Sequence, residues 1–152
     1  RRKLEADLYS YYEELEDYLK EVVSTEEPFS LYSKDLLISG RTDLVMKNRS
    51  NELELVDFKS REETGLEETQ VELQLKIYDY ALKEEYQFDK LCAYHFSSCK
   101  RTYFDSDDED LKNTKELIEN ICTRISKVEF GKARTALCGS CFFNFLCDSN
   151  DD

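Results

Sequence analysis

The run Leu53-Glu54-Leu55-Val56-Asp57-Phe58-Lys59 constrains this chain most. It is short and rich in apolar residues with charges set into it, the pattern of a largely buried strand whose end reaches a polar site. At a period of two, Asp57 and Lys59 share one face, while Val56 and Phe58 share the other and can pack against a helix. A carboxylate and an ammonium then stand side by side at the strand's end. An earlier strand-like run, residues 36–45, carries Asp43 near its own end. The polar stretch Lys47-Asn48-Arg49-Ser50-Asn51 between the two runs reads as a hairpin connection, and antiparallel pairing would bring Asp43 close to Asp57.

Around this centre the periodicity predicts a supporting frame. Residues 3–23 carry Leu4, Leu8, Tyr11, Tyr12, Leu15, Tyr18, Leu19 and Val22 as a helical apolar stripe, whose tyrosines read as core packing rather than as a platform for stacking bases. Ser24 to Pro28 breaks that pattern. Residues 29–32, 36–45 and 53–59 then suggest a meander of strands. Residues 60–68 are polar, contain Gly65 and read as a loop leaving the site, placed to admit a substrate. Helical spacing returns over 69–85, with Thr69 as a cap and with Gln74 and Tyr78 at i and i+4 on one face. A strand over 88–96, a return strand over 100–104 and a second amphipathic helix over 111–125, preceded by acidic residues suited to its N-terminus, complete the chain.

A chain of 152 residues with 40% hydrophobic and 12% aromatic content is long and apolar enough for one globular domain over 1–152. No run approaches the roughly eighteen apolar residues of a membrane span, and no leader pattern opens the chain, so an intracellular protein without membrane contact is expected. The sequence starts Arg1-Arg2-Lys3 and its one methionine is Met46, so it is expected to be a piece of a longer polypeptide. The net charge of −13 opposes simple nucleic-acid binding, which needs clustered Lys and Arg. Acidic residues crowd the first helix and the 105–110 run, however, so the total says little about one groove.

A hard divalent cation used in phosphodiester hydrolysis needs oxygen ligands from different elements, with water and substrate phosphate completing its shell. Asp43, Asp57 and the backbone carbonyl of Phe58 are the candidates for Mg2+ or Mn2+. Lys59 is placed to orient a water or to stabilise developing negative charge. D-x-K alone is weak, since an exposed Asp and Lys at this spacing are common by chance.

The order G-R-x-D at Gly40–Asp43, D-x-K at Asp57–Lys59 and Q-x3-Y at Gln74–Tyr78 resembles the RecB-like branch of the PD-(D/E)XK nuclease superfamily, over roughly residues 25–147. The resemblance implies an α/β (α+β) restriction-endonuclease-like core, a mixed central sheet of four to five strands flanked by helices. It implies that Asp43 and Asp57 bind metal, that Lys59 is the catalytic lysine, and that Gln74 and Tyr78 help hold the site and DNA. Glu26 or Glu27 matches loosely an acidic position before the second strand. The family also carries a histidine or acidic residue on an upstream helix. Glu13, Glu14 and Glu16 read instead as a solvated face, so that ligand is expected outside this sequence. His95, the one histidine, reads as structural. A helicase domain in the same chain or complex, and DNA as substrate, are the partners the resemblance implies.

Three of the six cysteines form C-x2-C-x5-C at Cys138, Cys141 and Cys147, spacing that suits an iron–sulfur cluster or zinc rather than a secreted disulfide framework. Closed sites of either kind usually use four protein ligands. Iron–sulfur members of the family bring the fourth cysteine from far upstream, and none stands at the start of this sequence. A 4Fe-4S cluster is therefore expected only in a longer protein. Cys92, Cys99 and Cys122 read as buried free thiols. Two other functions fit the same residues: a nuclease fold kept as a non-catalytic scaffold that binds protein, and a zinc-binding interaction domain whose carboxylates do nothing.

Overall fold

The computed structural model describes residues 2–60, 66–129 and 138–142. Helix α1 (Arg2–Tyr18) leads into strands β1 (Leu19–Thr25), β2 (Pro28–Ser33), β3 (Leu36–Arg41), β4 (Leu44–Asn48) and β5 (Leu53–Lys59). Helix α2 (Leu66–Leu82), strands β6 (Lys90–His95) and β7 (Lys100–Phe104) and helix α3 (Asp108–Ser126) follow, with a 3-10 turn at Cys138–Ser140. Five strands form a mixed sheet in the order β1-β4-β5-β6-β7, and β2 pairs with β3 in a separate ribbon. β5 and β6 run parallel while their neighbours are antiparallel, so α2 is the crossover that a parallel pair requires. The described elements thus give the expected mixed sheet flanked by helices.

The alternation predicted for β5 holds. Leu53 and Leu55 face α2, where Val45, Leu55, Leu91 and Ala93 pack with Val71 and Leu75. Val56 and Phe58 face α1, in a second core with Leu44, Met46, Cys92, Tyr94, Tyr11 and Leu15. Tyr11 is the anchor of α1: its ring lies 5.5 Å from Phe58, 4.7 Å from Tyr94 and 5.3 Å from Phe96 in edge-on contacts. α3 begins at a capping box, in which the Asp107 side chain accepts from the Asp110 amide and the Asp110 side chain accepts from the Asp107 amide. The acidic run before this helix therefore has a structural use.

Several expectations about the elements need correction. The first helix stops at Tyr18 rather than continuing to residue 23, and Leu19–Thr25 is the edge strand of the sheet. Val22-Val23-Ser24-Thr25 contains a β-branched run that fits a strand better than a helix. Arg49 closes the helix end, its amide donating to the Tyr18 carbonyl at 3.0 Å and its guanidinium to the Glu16 carbonyl at 2.7 Å. The buried stripe of α1 is also narrower than predicted, because Leu8 and Tyr12 are 48% and 62% exposed. Finally, the single strand expected over 36–45 is two strands, β3 and β4, and β2 belongs to the ribbon rather than to a simple meander.

That last difference has a physical cause that matters for the site. β1 pairs with β4 and β2 pairs with β3, so the four strands make one long hairpin with a bend across both arms. Two backbone bonds hold the bend: the Glu26 amide donates to the Asp43 carbonyl at 3.0 Å, and the Thr42 amide to the Glu27 carbonyl at 2.9 Å. Glu26 takes a left-handed backbone with φ 54°. Asp43 stands at this bend, released from the alternation of either strand. The turn from β4 to β5 is the hairpin predicted, with Asn51 at φ 69° and the Asn48 side chain accepting from the Glu52 amide at 3.0 Å. Helix α2 starts at Leu66, so Thr69 lies inside it rather than capping it. Residues 61–65 of the expected loop lie outside the described residues. Among the described residues, no helix is long and apolar enough to cross a membrane.

Candidate functional site

β5 ends where its last two α2-facing residues are charged rather than apolar. Asp57 is only 4% exposed, and its Oδ2 lies 2.7 Å from the Lys59 ammonium. Lys59 Nζ also donates to Gln74 Oε1 at 2.7 Å, and Gln74 Nε2 donates to the Tyr78 hydroxyl at 2.7 Å. Gln74 and Tyr78 are one helical turn apart on α2, which is why the i, i+4 spacing delivers both to the strand end. Asp43 arrives from the hairpin bend: its Oδ2 accepts the Phe58 backbone amide at 2.7 Å. The bond fixes Asp43 beside the Phe58 peptide, whose carbonyl is the expected third oxygen ligand. The structure thus brings Asp43, Asp57, Phe58, Lys59, Gln74 and Tyr78 together at one end of the sheet.

The electrostatics of this cluster are those of an acid held against its preference. Burial pushes the Asp57 carboxyl above its ordinary range, the neighbouring Lys59 ammonium pulls it back, and the Asp43 charge pushes it up again. That last effect agrees with the hydrogen bond that seats Asp43 against the amide following Asp57. Lys59 makes an ion pair with Asp57 Oδ2, yet no donor among the described residues is aimed along that oxygen's lone pairs, and the atom is buried. A buried carboxylate oxygen without a well-directed donor, beside a second carboxylate and a backbone carbonyl, is a donor set of hard oxygens. Such a set suits Mg2+ or Mn2+ better than a soft metal. Among the described residues no group of three or more His, Cys, Asp or Glu side chains is gathered for a metal, so water and phosphate oxygens would supply the rest of the shell.

A profile of the PD-(D/E)XK nuclease superfamily matches residues 1–148. The chain belongs to that superfamily. No curated protein sequence matches it. A crystal structure of SSO0001 is similar to it with a TM-score of 0.55 at 17% sequence identity, over 85% of this chain and 61% of that one. The likeness shows the restriction-endonuclease-like fold, and this chain spans about three-fifths of the SSO0001 chain. It is a nuclease-type domain, and its D-x-K strand is β5.

The remaining residues singled out in this PD-(D/E)XK chain fall outside the cluster. Glu26 is exposed and pairs with Arg41 at 3.2 Å, and Glu27 accepts from the Ser24 hydroxyl and, at 3.5 Å, from Tyr86. Glu13 and Glu16 are exposed as expected, but Glu14 is not a plain solvated charge. It accepts from Arg101 Nε at 2.9 Å and from the Tyr94 hydroxyl at 3.0 Å, tying α1 to the sheet. His95 is buried and its Nε2 lies 3.1 Å from Thr102 Oγ1 on the paired strand β7. Cys92 and Cys122 are buried free thiols and Cys99 is a half-buried one. Burial pushes the Cys92 thiol up to about 12, which keeps it protonated and inert. Cys138 opens the 3-10 turn and Cys141 follows it, joined by a bond from the Cys141 amide to the Cys138 carbonyl at 3.3 Å. Cys147 lies outside the described residues.

Sequence reasoning missed Phe29, a buried residue of β2 whose ring lies 5.5 Å from that of Tyr78. The signal was present in Gly40, its register partner across the ribbon. A β-carbon added at Gly40 would fall 2.5 Å from Phe29 Cζ, so the glycine of G-R-x-D makes room for that ring.

Proposed function

We propose that this chain is the catalytic domain of a Mg2+- or Mn2+-dependent deoxyribonuclease, hydrolysing phosphodiester bonds at Asp43, Asp57 and Lys59. The observation that carries this reading is the continuous contact path from Asp57 through Lys59 and Gln74 to Tyr78, with Asp43 bonded to the next peptide. Asp43, Asp57 and the Phe58 carbonyl would hold the cation, which when bound supplies Lewis acidity toward the phosphoryl oxygen and a more acidic water. Lys59 presents a fixed positive charge where negative charge grows on the phosphoryl group. Gln74 and Tyr78 hold that ammonium in place and face the approach of the substrate. An exonuclease acting with a helicase in DNA repair is the setting this reading favours, by analogy with RecB-like members of the superfamily.

The test is divalent-dependent cleavage of DNA by Asp57→Ala and Lys59→Ala variants checked for folding by circular dichroism. Each is expected to lose at least about a hundredfold in rate. Cleavage at the parent rate by both would overturn the assignment.

The acidic surface favours a second reading, a nuclease fold retained as a protein-binding scaffold. It differs in predicting no saturable Mn2+ binding that depends on Asp43 and Asp57. The cysteines carry a separate proposal, in which Cys138, Cys141 and Cys147 supply three thiolates to a 4Fe-4S cluster whose fourth ligand comes from outside this sequence. The turn between Cys138 and Cys141 supports it, since it sets two thiols on one tight loop. An iron and acid-labile sulfide assay on the protein with its natural flanking sequence is expected to find both, and finding neither removes the cluster.

A further inference from the structure

The contact path does not end at Tyr78. Its ring packs at 5.5 Å and an interplanar angle of 55° on Phe29, and Phe29 sits where only a glycine at position 40 leaves space. Phe29 and Gly40 face each other in the ribbon, three residues before Asp43 in the second case. The same ribbon that delivers one acid therefore also carries the ring behind the tyrosine.

We propose that Phe29, seated over Gly40, is a positioning residue for Lys59, acting through the Tyr78 ring and the Gln74 amide. The inference rests on the reading of Asp43, Asp57 and Lys59 given above. Gln74 can present either its oxygen or its nitrogen to Lys59, and only the oxygen accepts from an ammonium. The donor-only Lys59 ammonium selects that orientation, and the Tyr78 hydroxyl, by accepting from Gln74 Nε2, holds the amide plane where the bond to Lys59 can form. A tyrosine ring free to swing would release the amide, and Lys59 would keep Asp57 as its partner but lose the second acceptor that fixes its direction. Phe29 is what stops the swing on the ribbon side. No chemistry is asked of Phe29 itself, and it touches neither acid in the contacts described.

The experiment is a double-mutant cycle in the otherwise intact chain, with Phe29→Leu chosen to keep the ribbon filled and Tyr78→Phe to remove the hydroxyl. Phe29→Leu is expected to lower kcat for Mg2+-dependent DNA cleavage by about tenfold with KM within about twofold, the signature of lost alignment rather than lost binding. On the Tyr78→Phe background the same substitution is expected to change kcat by less than about twofold, because the hydroxyl through which it acts is gone. A second arm uses Gly40→Ala, whose added β-carbon displaces the Phe29 ring. It is expected to lower kcat, and Gly40→Ala with Phe29→Leu to recover part of that loss. A readout without metal or activity is the Gln74 side-chain amide signal in a 1H–15N spectrum, expected to move in Phe29→Leu and in Tyr78→Phe alike. An equal kcat loss from Phe29→Leu on both backgrounds, or an unmoved Gln74 signal, overturns the positioning role. Lys59→Ala measured alongside separates the two ideas: full activity there brings down the site itself, whereas an inactive Lys59→Ala with additive Phe29 and Tyr78 effects brings down only the path to Phe29.

Discussion

Asp79 shows what a buried carboxylate costs when no cation among the described residues offsets its burial. It lies on α2 one position beyond Tyr78, buried, and accepts from the Ser106 hydroxyl. Burial raises its pKa above the ordinary 3.8, the Ser106 hydrogen bond lowers it in part, and the charge of Asp110 raises it further. Lys76 does not relieve this, since it stands between Asp110 at 2.7 Å and Glu72 at 2.8 Å. A folded-state pKa above the unfolded one means the native chain binds more protons between the two values, so stability contributed by this residue falls as pH rises through that window. Asp79→Asn keeps an acceptor for Ser106 and removes the charge. It is expected to raise the Tm at pH 7, with the difference closing as pH falls toward 3.8. Thermal scans of both proteins across that range check it, and a gap that stays constant with pH would refute the assignment. Asp57 feels the same burial, but there Lys59 offsets part of it, and the cation proposed at this site would offset more.

The elements are joined by a second polar cluster on the α1 side of the sheet. Glu54 is fully buried on β5, where its Oε1 accepts from the Tyr18 hydroxyl and, at 2.8 Å, from Asn48. Arg101 on β7 places Nη1 4.0 Å from Glu54 Oε2, bonds Glu14 of α1 through Nε, and lies over the Tyr18 ring at 4.3 Å. One guanidinium thus links α1, β5 and β7. Arg101→Ala would leave Glu54 buried without its counter-charge and remove the bond to Glu14 of α1, and the expected cost is about 3–5 kcal/mol in urea unfolding. Glu14→Gln, at the partly exposed member of its pair with the buried Arg101, is expected to cost about 1 kcal/mol. Little of this cluster was legible in the sequence, because Glu54 looks like any charge in an alternating strand and its partners lie 36, 6 and 47 positions away. Periodicity did reveal β5, the α2 face carrying Gln74 and Tyr78, and the hairpin between β4 and β5. It misplaced the end of α1, since Leu19 and Val22 continue the helical spacing of the preceding turns into a strand. It also ran β3 into β4, since the bend at Thr42 and Asp43 is held by backbone bonds to residues 26 and 27 that no local pattern announces.

At the scale of the whole molecule, a net charge of −13 opposes the DNA substrate proposed above. Long-range repulsion of that sign slows encounter and weakens binding, most strongly at low salt, where screening is least. On the proposed reading, a chain of this net charge would bind DNA mainly at the site, where a divalent cation held by Asp43 and Asp57 would reverse the local sign. The resulting expectation differs from that for a basic DNA-binding domain. In EDTA, DNA affinity should be weak and should not strengthen as salt is lowered from 200 to 50 mM, whereas a protein neutralising several phosphates gains about a thousandfold or more over that interval. Adding Ca2+, a hard cation that also takes oxygen ligands, should tighten binding by about tenfold or more, and an Asp43→Ala, Asp57→Ala double variant should lose that gain. Fluorescence anisotropy with a labelled oligonucleotide reads all of these. Strong cation-free binding with a steep salt dependence would show that a basic surface, rather than the cation between the two acids, brings the substrate to the sheet.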